Sequence, residues 1–402
     1  MKIKSVEVKN YRSLKEVTVN SLKTINMIYG YNNTGKSNFL RFIDLVFRRK
    51  VRSTFTSYME GLVRKEERNE EPTGWWEGEF RDTAYMFTDD KRESGITFII
   101  LMDVAHSELG GLQKKLSTDF LSTTHSIAHI CFEGNIRSVT YDNSEISLTK
   151  VIINNKIAYN PSAKVDIQRY FPSSKSLLGK AETLNSLLSI FNDCVLFLGS
   201  GRYLTEEQEL PKVPGKLQAQ NAKNWLFEYF MNSQKYTKFR DFIAFVKEYQ
   251  TAHKDEDAAK RAWRQWPFST GEVGFARFGQ NIEIMLSNTK GRFPLSSYGT
   301  GVQQILYLLA RLFFTPAHIV LIEEIELNLS PTAQRELFIN LKRLLAAQYL
   351  NQVLFTTHSD HFNSRSDFRV YEAVLDLDGY TSINRKPARG ATFFKRVFVN
   401  WP

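Results

Sequence analysis

Gly30-Tyr31-Asn32-Asn33-Thr34-Gly35-Lys36-Ser37 is the stretch whose reading decides the fold. It satisfies G-x-x-x-x-G-K-[ST] at every defined position, and its flanks are those such a loop needs. Thr24 to Tyr29 reads as a short buried strand. Ser37 to Phe47 carries Phe39, Leu40, Ile43, Val46 and Phe47 at helical spacing. Strand, glycine turn and helix start aim successive backbone N–H groups at one anion. The cradle is expected to run through Asn32, Asn33, Thr34 and Gly35 to Asn38. Within it Lys36 adds a point charge for the β- and γ-phosphates, and Ser37 offers a hydroxyl to Mg²⁺. The implied ligand is a nucleoside triphosphate, with ATP and Mg²⁺ as the expected cofactors.

Around this loop the composition sets bounds. A chain of 402 residues has ample material for a sizeable core. Charged residues at 24% and hydrophobic residues at 42% are ordinary for a globular protein. The net charge of +10 favours a polyanionic partner, DNA among them, the plainer reading being a charge that serves solubility. Cys131 and Cys194 lie far apart, which excludes a disulfide framework and a zinc cluster. The opening Met-Lys-Ile-Lys reads as a strand rather than a signal peptide, and no apolar run approaches the ~18–20 residues of a membrane helix. The expected location is cytoplasmic.

Outward from the loop, Met1 to Val19 reads as two strands joined by a turn. Phe42 to about Arg68 reads as helix, its basic run Arg48-Arg49-Lys50 and Arg52 as a solvated helix end. Gly74 to Val104 returns to strand character. Ile127 to Tyr159 alternates with Asn154-Asn155 punctuation, as strands do. Ala181 to Phe191 reads as helix and Val195 to Leu198 as a buried strand. Gln218 to Trp266 is a largely helical block in which Phe227, Phe230, Phe239, Phe242 and Phe245 sit among lysines and arginines. Base stacking is one use of such a block. Spacing near three and four favours a packed amphipathic helix instead.

Three constellations follow. Ala317 to Ile322 is a buried strand ending in Glu323-Glu324. Carboxylates at a strand's carboxyl end, across from a phosphate loop, suit Mg²⁺ and an attacking water. Glu323 is expected to anchor the metal or its water shell, and Glu324 to act as general base. Gln352 to Thr357 is a second strand delivering His358, from where an imidazole can touch a γ-phosphate. Leu295 to Gln304, with Ser297, Gly299 and Gly301, precedes the apolar helix Ile305 to Phe314 and forms another helix start suited to an anion. Two such starts in one chain suggest that the second serves the ATP held by a partner subunit.

This ordered set resembles the ATP-binding-cassette (ABC) ATPases of the RecF, SMC and overcoming-lysogenisation-defect (OLD) group. Asn10-Tyr11-Arg12-Ser13-Leu14 resembles the group's opening strands, and on that resemblance Arg12 joins the nucleotide-binding residues. Gly30 to Ser37 looks like Walker A, and Ser297 to Gln303 like the variant signature Ser-x-Gly-x-Gly-x-Gln. Ile322 to Pro331 looks like Walker B and the D-loop, and His358 like the switch histidine. Glu323 stands where the family commonly has Asp, and Ile325 where a proline commonly follows the catalytic acid. The resemblance implies an α/β P-loop ATPase head with a mixed β-sheet and helices, plus an inserted, mostly helical region. Its N-terminal part is expected at 1–104, the insertion at 105–272 and the C-terminal part at 273–402. It further implies ATP hydrolysis by a homodimer or higher homo-oligomer, with Ser297, Gly299 and Gly301 acting in trans.

Within the group, the absence of a long heptad run sets the chain apart from coiled-coil SMC proteins. Asp376-Leu377-Asp378 is better explained by a hairpin turn at Asp378-Gly379 than by a nuclease site. The nearest resemblance is to stand-alone ATPases of antiphage systems such as PARIS and Septu, which implies a separately encoded nuclease or toxin partner. A RecF-like DNA clamp for repair, and an ATP-bound scaffold slowed by Glu323, are the alternatives.

Overall fold

The computed structural model describes residues 1–48, 51–53, 95–109, 127–138, 145–159, 194–200, 222–247, 272–278, 281–288, 291–315, 318–359, 362 and 368–386. They fall into two compact units, one of 1–197, 317–323 and 350–402, the other of 198–316 and 324–349. The helix read at Ala181 to Phe191, the strand character of 74–94 and the aromatic block beyond Lys247 lie outside the described residues.

The first unit holds two sheets. β1 (Lys2–Tyr11) and β2 (Leu14–Val19) form a tight hairpin in which Tyr11 faces Leu14 across the turn Arg12-Ser13. β5 (Ile96–Ala105) pairs antiparallel with β1. β6 (Ile127–Ser138), β7 (Glu145–Ile153) and β8 (Lys156–Tyr159) continue the same sheet, and the short β4 (Val51–Ser53) closes it against β7. β5 and the strands from β6 to β8 thus belong to one sheet. The alternation of 127–159 buries Ala128, Ile130, Phe132 and Ile136 on the face that β1 and β5 also bury.

The second sheet is the one that matters for chemistry. β3 (Ile25–Tyr29), β9 (Val195–Leu198), β13 (Ile319–Ile322), β14 (Gln352–Thr357), β15 (Phe368–Leu375) and β16 (Thr381–Lys386) run in the order β16-β15-β3-β14-β13-β9. β3 is parallel to both β14 and β15, and β13 is parallel to β14. β3, β13 and β14 are buried at every position, as strands covered on both faces must be. The expected α/β class is the one observed, a mixed sheet with parallel strands at its core.

α1 (Lys36–Arg48) packs between the sheets. Phe39, Leu40, Phe42 and Ile43 are fully buried, and Phe42 lies edge-on to Phe98 and tilted against Tyr11. The helix ends at Arg48 and the chain re-enters a strand at Val51, so the helical reading toward Arg68 was too long. β-branched Val51 and the pairing offered by β7 override the propensity of the basic run. Gln352, wholly buried, bridges the sheets. Its Oε1 accepts from Ile3 N at 2.8 Å, and its Nε2 donates to Ile3 O and Lys23 O, each at 2.8 Å.

The second unit contains α2 (Ala222–Met231), α3 (Tyr236–Lys247), the meander β10 (Glu272–Phe278), β11 (Asn281–Asn288) and β12 (Gly291–Pro294), then α4 (Thr300–Phe314) and α5 (Pro331–Ala346). Phe230 and Phe239 pack on Phe275, and Phe242 packs on Phe313 and Phe314. Phe239 and Phe242 are buried in this packing, whereas Tyr236 stays exposed. α5 starts on a capping Ser330, whose side chain accepts from Ala333 N, followed by Pro331 at the first helical position.

Candidate functional site

Three of the predicted site segments leave the first unit's parallel sheet at its carboxyl edge. Tyr29, the last residue of β3, pairs with Thr357 on one side and Glu372 on the other. The loop Gly30 to Gly35 therefore starts at the middle of the sheet, where parallel strands end and crevices form. His358 follows Thr357 directly, on the adjacent strand. Glu323 follows Ile322, which pairs with Phe355, one strand further out.

Lys36 spans the loop it belongs to. Its Nζ donates to Gly30 O at 3.0 Å and to Tyr31 O at 2.5 Å, and it is 5% exposed. Thr34 Oγ1 donates to Tyr31 O at 2.9 Å, and Phe39 N to Gly35 O at 3.1 Å, which starts the helix. Burial, reinforced by the Glu372 carboxylate, raises the Tyr29 phenol well above its ordinary range and keeps it neutral beneath the loop.

Both loop glycines are required by their neighbours. A Cβ on Gly30 (φ +155°) would lie 2.3 Å from Ala373 O, and one on Gly35 (φ +80°) 2.0 Å from Thr381 Oγ1. Ala373 and Thr381 belong to the two strands of one hairpin, β15–β16. Thr381 N donates to Ser13 O at 2.8 Å, and the Thr381 and Ser13 hydroxyls are 2.7 Å apart. Asn38 Nδ2 donates to Ser13 Oγ at 3.0 Å, and Arg12 Nη1 to Asn38 Oδ1 at 3.3 Å. Arg12 itself sits at φ +51° in the β1–β2 turn. Arg12 and Asn38 are thus brought together beside Gly35, with Ser13 and Thr381, which sequence reasoning missed.

Glu323 is 2% exposed and its carboxylate is gripped by Arg41, with Nε to Oε1 at 2.8 Å and Nη2 to Oε2 at 3.1 Å. Arg41 lies four residues after Ser37, on the same face of α1. Its sequence signal was a cation on an otherwise amphipathic helix, but the partner is 282 positions away. A hydroxyl and a buried carboxylate are donors of the kind Mg²⁺ takes, and that ion keeps several waters and needs few protein ligands. Ser37 and Glu323 would hold it. When bound, it would neutralise charge developing on the phosphoryl group.

Glu324, Ser297, Gly299 and Gly301 lie in the second unit, while Asn32 and Asn33 lie in the loop of the first. Glu324 adopts φ +44°, a left-handed conformation uncommon for a residue of its kind. Its carbonyl accepts from Leu327 N at 2.9 Å, which opens the turn toward Asn328. Ser297 Oγ donates to Pro294 O at 2.7 Å, at the end of a 3₁₀ turn, Leu295–Ser297. Gly299 caps α4, which begins five residues earlier than the apolar pattern indicated. A Cβ on Gly299 would meet nothing within 4 Å, whereas one on Gly301 would lie 2.8 Å from Asn328 O. Gly301 is therefore explained by close packing inside its own unit, and Gly299 is not.

No helix among the described residues is long and apolar enough to cross a membrane. A family model described as AAA ATPase domain matches residues 1–362. Among solved structures, an Smc head bound to the C-winged helix domain of ScpA has a TM-score of 0.48 at 12% identity, covering 96% of this chain and 98% of that one. The SMC head domain from Thermotoga maritima gives 0.43 at 13% identity, covering 96% and 100%. An Smc head with an extended coiled coil, bound to the C-terminal domain of ScpA derived from Pyrococcus furiosus, gives 0.43 at 11%, covering 99% and 98%. None of the curated proteins matches significantly.

Proposed function

The chain belongs to the AAA ATPase domain family, and from that premise we propose an ATPase whose nucleotide-dependent dimerisation or assembly controls a separate effector, a nuclease or toxin, in antiphage defence. The observation that carries the reading is the loop at the centre of the parallel sheet, with both glycines pinned and a buried acid ending a nearby strand. Lys36 holds the β- and γ-phosphates, with Arg12 and the Asn32-to-Asn38 backbone around them. Ser37 and Glu323 handle Mg²⁺, Glu324 activates water and His358 senses the γ-phosphate. Ser297, Gly299 and Gly301 complete the site of a second copy. The kinship to PARIS- and Septu-type ATPases rests on the order of these motifs and on the lack of a heptad run. Residues 1–104 and 273–402 make the two parts of the head, and 105–272 carries the surface that senses the trigger or the effector.

The test is the solution mass of Glu324→Gln protein with and without ATP and Mg²⁺. Conversion of a smaller species to a dimer or larger assembly is expected. A protein that binds ATP and remains monomeric overturns the sandwich. A second reading, a DNA clamp, is favoured by the net charge of +10. It requires duplex binding that weakens steeply with salt and strengthens with ATP.

A further inference from the structure

A carboxylate as buried as Glu323 needs a counter-charge in every state of the protein, since an isolated buried charge is among the costliest features a fold can hold. Arg41 meets that need with a two-point, charge-assisted grip. The grip comes from the helix that opens with Lys36 and Ser37, one turn beyond the hydroxyl assigned to the metal. The pair is also lopsided. Glu323 is 2% exposed while the Arg41 side chain is 46% exposed, so the acid is fixed and the guanidinium is the partner that can leave into water.

We propose that Arg41 is an internal competitor of the divalent cation. It neutralises Glu323 until a metal–nucleotide complex arrives, whereupon the carboxylate exchanges guanidinium for metal and Arg41 turns toward solvent. This rests on the reading of Glu323 as the acid that handles Mg²⁺. The exchange replaces one cation by another at a buried anion, so the site is never left with a bare charge. It also sets the Mg²⁺ concentration at which nucleotide binding tightens, because the metal must first overcome the guanidinium.

The experiment titrates Mg²⁺ against the full chain with a fluorescent, non-hydrolysable ATP analogue and reads the midpoint of tight binding. Arg41→Gln is expected to lower that midpoint about tenfold or more, since charge-assisted bonds to Glu323 no longer oppose the metal. Arg41→Lys, which keeps the charge but loses the fork, is expected to give a smaller drop. Should the glutamine variant not fold, the lysine variant decides. Glu323→Gln is expected to raise the midpoint, and in the double variant with Arg41→Gln the gain from losing Arg41 disappears. A midpoint unchanged or raised in both Arg41 variants, with Glu323→Gln still raising it, overturns the competitor and leaves the metal assignment of Glu323 standing. A Glu323→Gln midpoint equal to wild type overturns both together.

Discussion

Gly35 meets Thr381 Oγ1 where any side chain would begin, at a φ of +80°. Gly35→Ala therefore adds backbone strain to a steric overlap and is expected to cost about 2–4 kcal/mol of stability. It should also abolish nucleotide binding, read by denaturant unfolding and by fluorescent ATP titration. Gly299→Ala is the contrasting case. Its Cβ points into open space, so stability should stay within about 0.5 kcal/mol of wild type. A loss of ATP-driven assembly in that variant would then report function rather than folding. Glu324 holds a left-handed backbone at φ +44° without being glycine or asparagine. Glu324→Asn, which tolerates that conformation, should raise unfolding stability by about 0.5–1 kcal/mol while removing the general base. The glycines, Lys36 and the two acids stand out as candidates in the sequence because a loop motif and a strand end are local patterns. Arg41 does not, since an exposed helical arginine looks solvated until the fold brings Glu323 to it.

Among the elements, the β15–β16 hairpin does more than extend the sheet. One of its strands backs Gly30 through Ala373 and the other backs Gly35 through Thr381, so the hairpin shapes the phosphate loop from behind. The hairpin itself was readable from Asp378-Gly379, with Gly379 at φ +81° in the turn. That it lies beside β3 was not readable, because parallel neighbours in a sheet share no turn and leave no short-range trace. The same holds for β14, whose Gln352 ties its sheet to Ile3 of the other. Gln352→Leu fits the volume but removes the side-chain partner of Ile3 N and Ile3 O, while Lys23 O keeps the bond from Asn26 Nδ2. It is expected to destabilise by about 2–4 kcal/mol, checked by the denaturation midpoint. The basic run after α1 shows the opposite failure, where propensity extended a helix that strand pairing had already claimed.

Across the whole molecule, acid should act in two stages. Burial and the nearby terminal amine depress the His318 pKa, although Glu108 opposes them. Its contribution to stability is present above the ordinary value of 6.5 and fades as pH falls through the lower folded value. Glu108 also titrates below its ordinary 4.5: burial works against it, but the Met1 amine and the Ala105 N–H outweigh burial. Stability should thus decline below pH 6.5 and again below 4.5, and His318→Gln should remove the first stage, measured as melting temperature against pH. The general fold class could be read from the sequence because its motifs occur in order. The division into two units could not, since Glu323 and Glu324 are consecutive yet belong to different ones. The threading of the parallel sheet has a further consequence, in time rather than in space. β3 emerges more than three hundred residues before its two flanking strands, β14 and β15. At ordinary elongation rates that interval is on the order of half a minute. A nascent chain carries its phosphate loop throughout that interval without the hairpin that shapes it, so a product truncated before residue 381 lacks the strand that backs Gly35 and is expected not to grip nucleotide. Competence for ATP then reports that translation has passed β15 and reached β16.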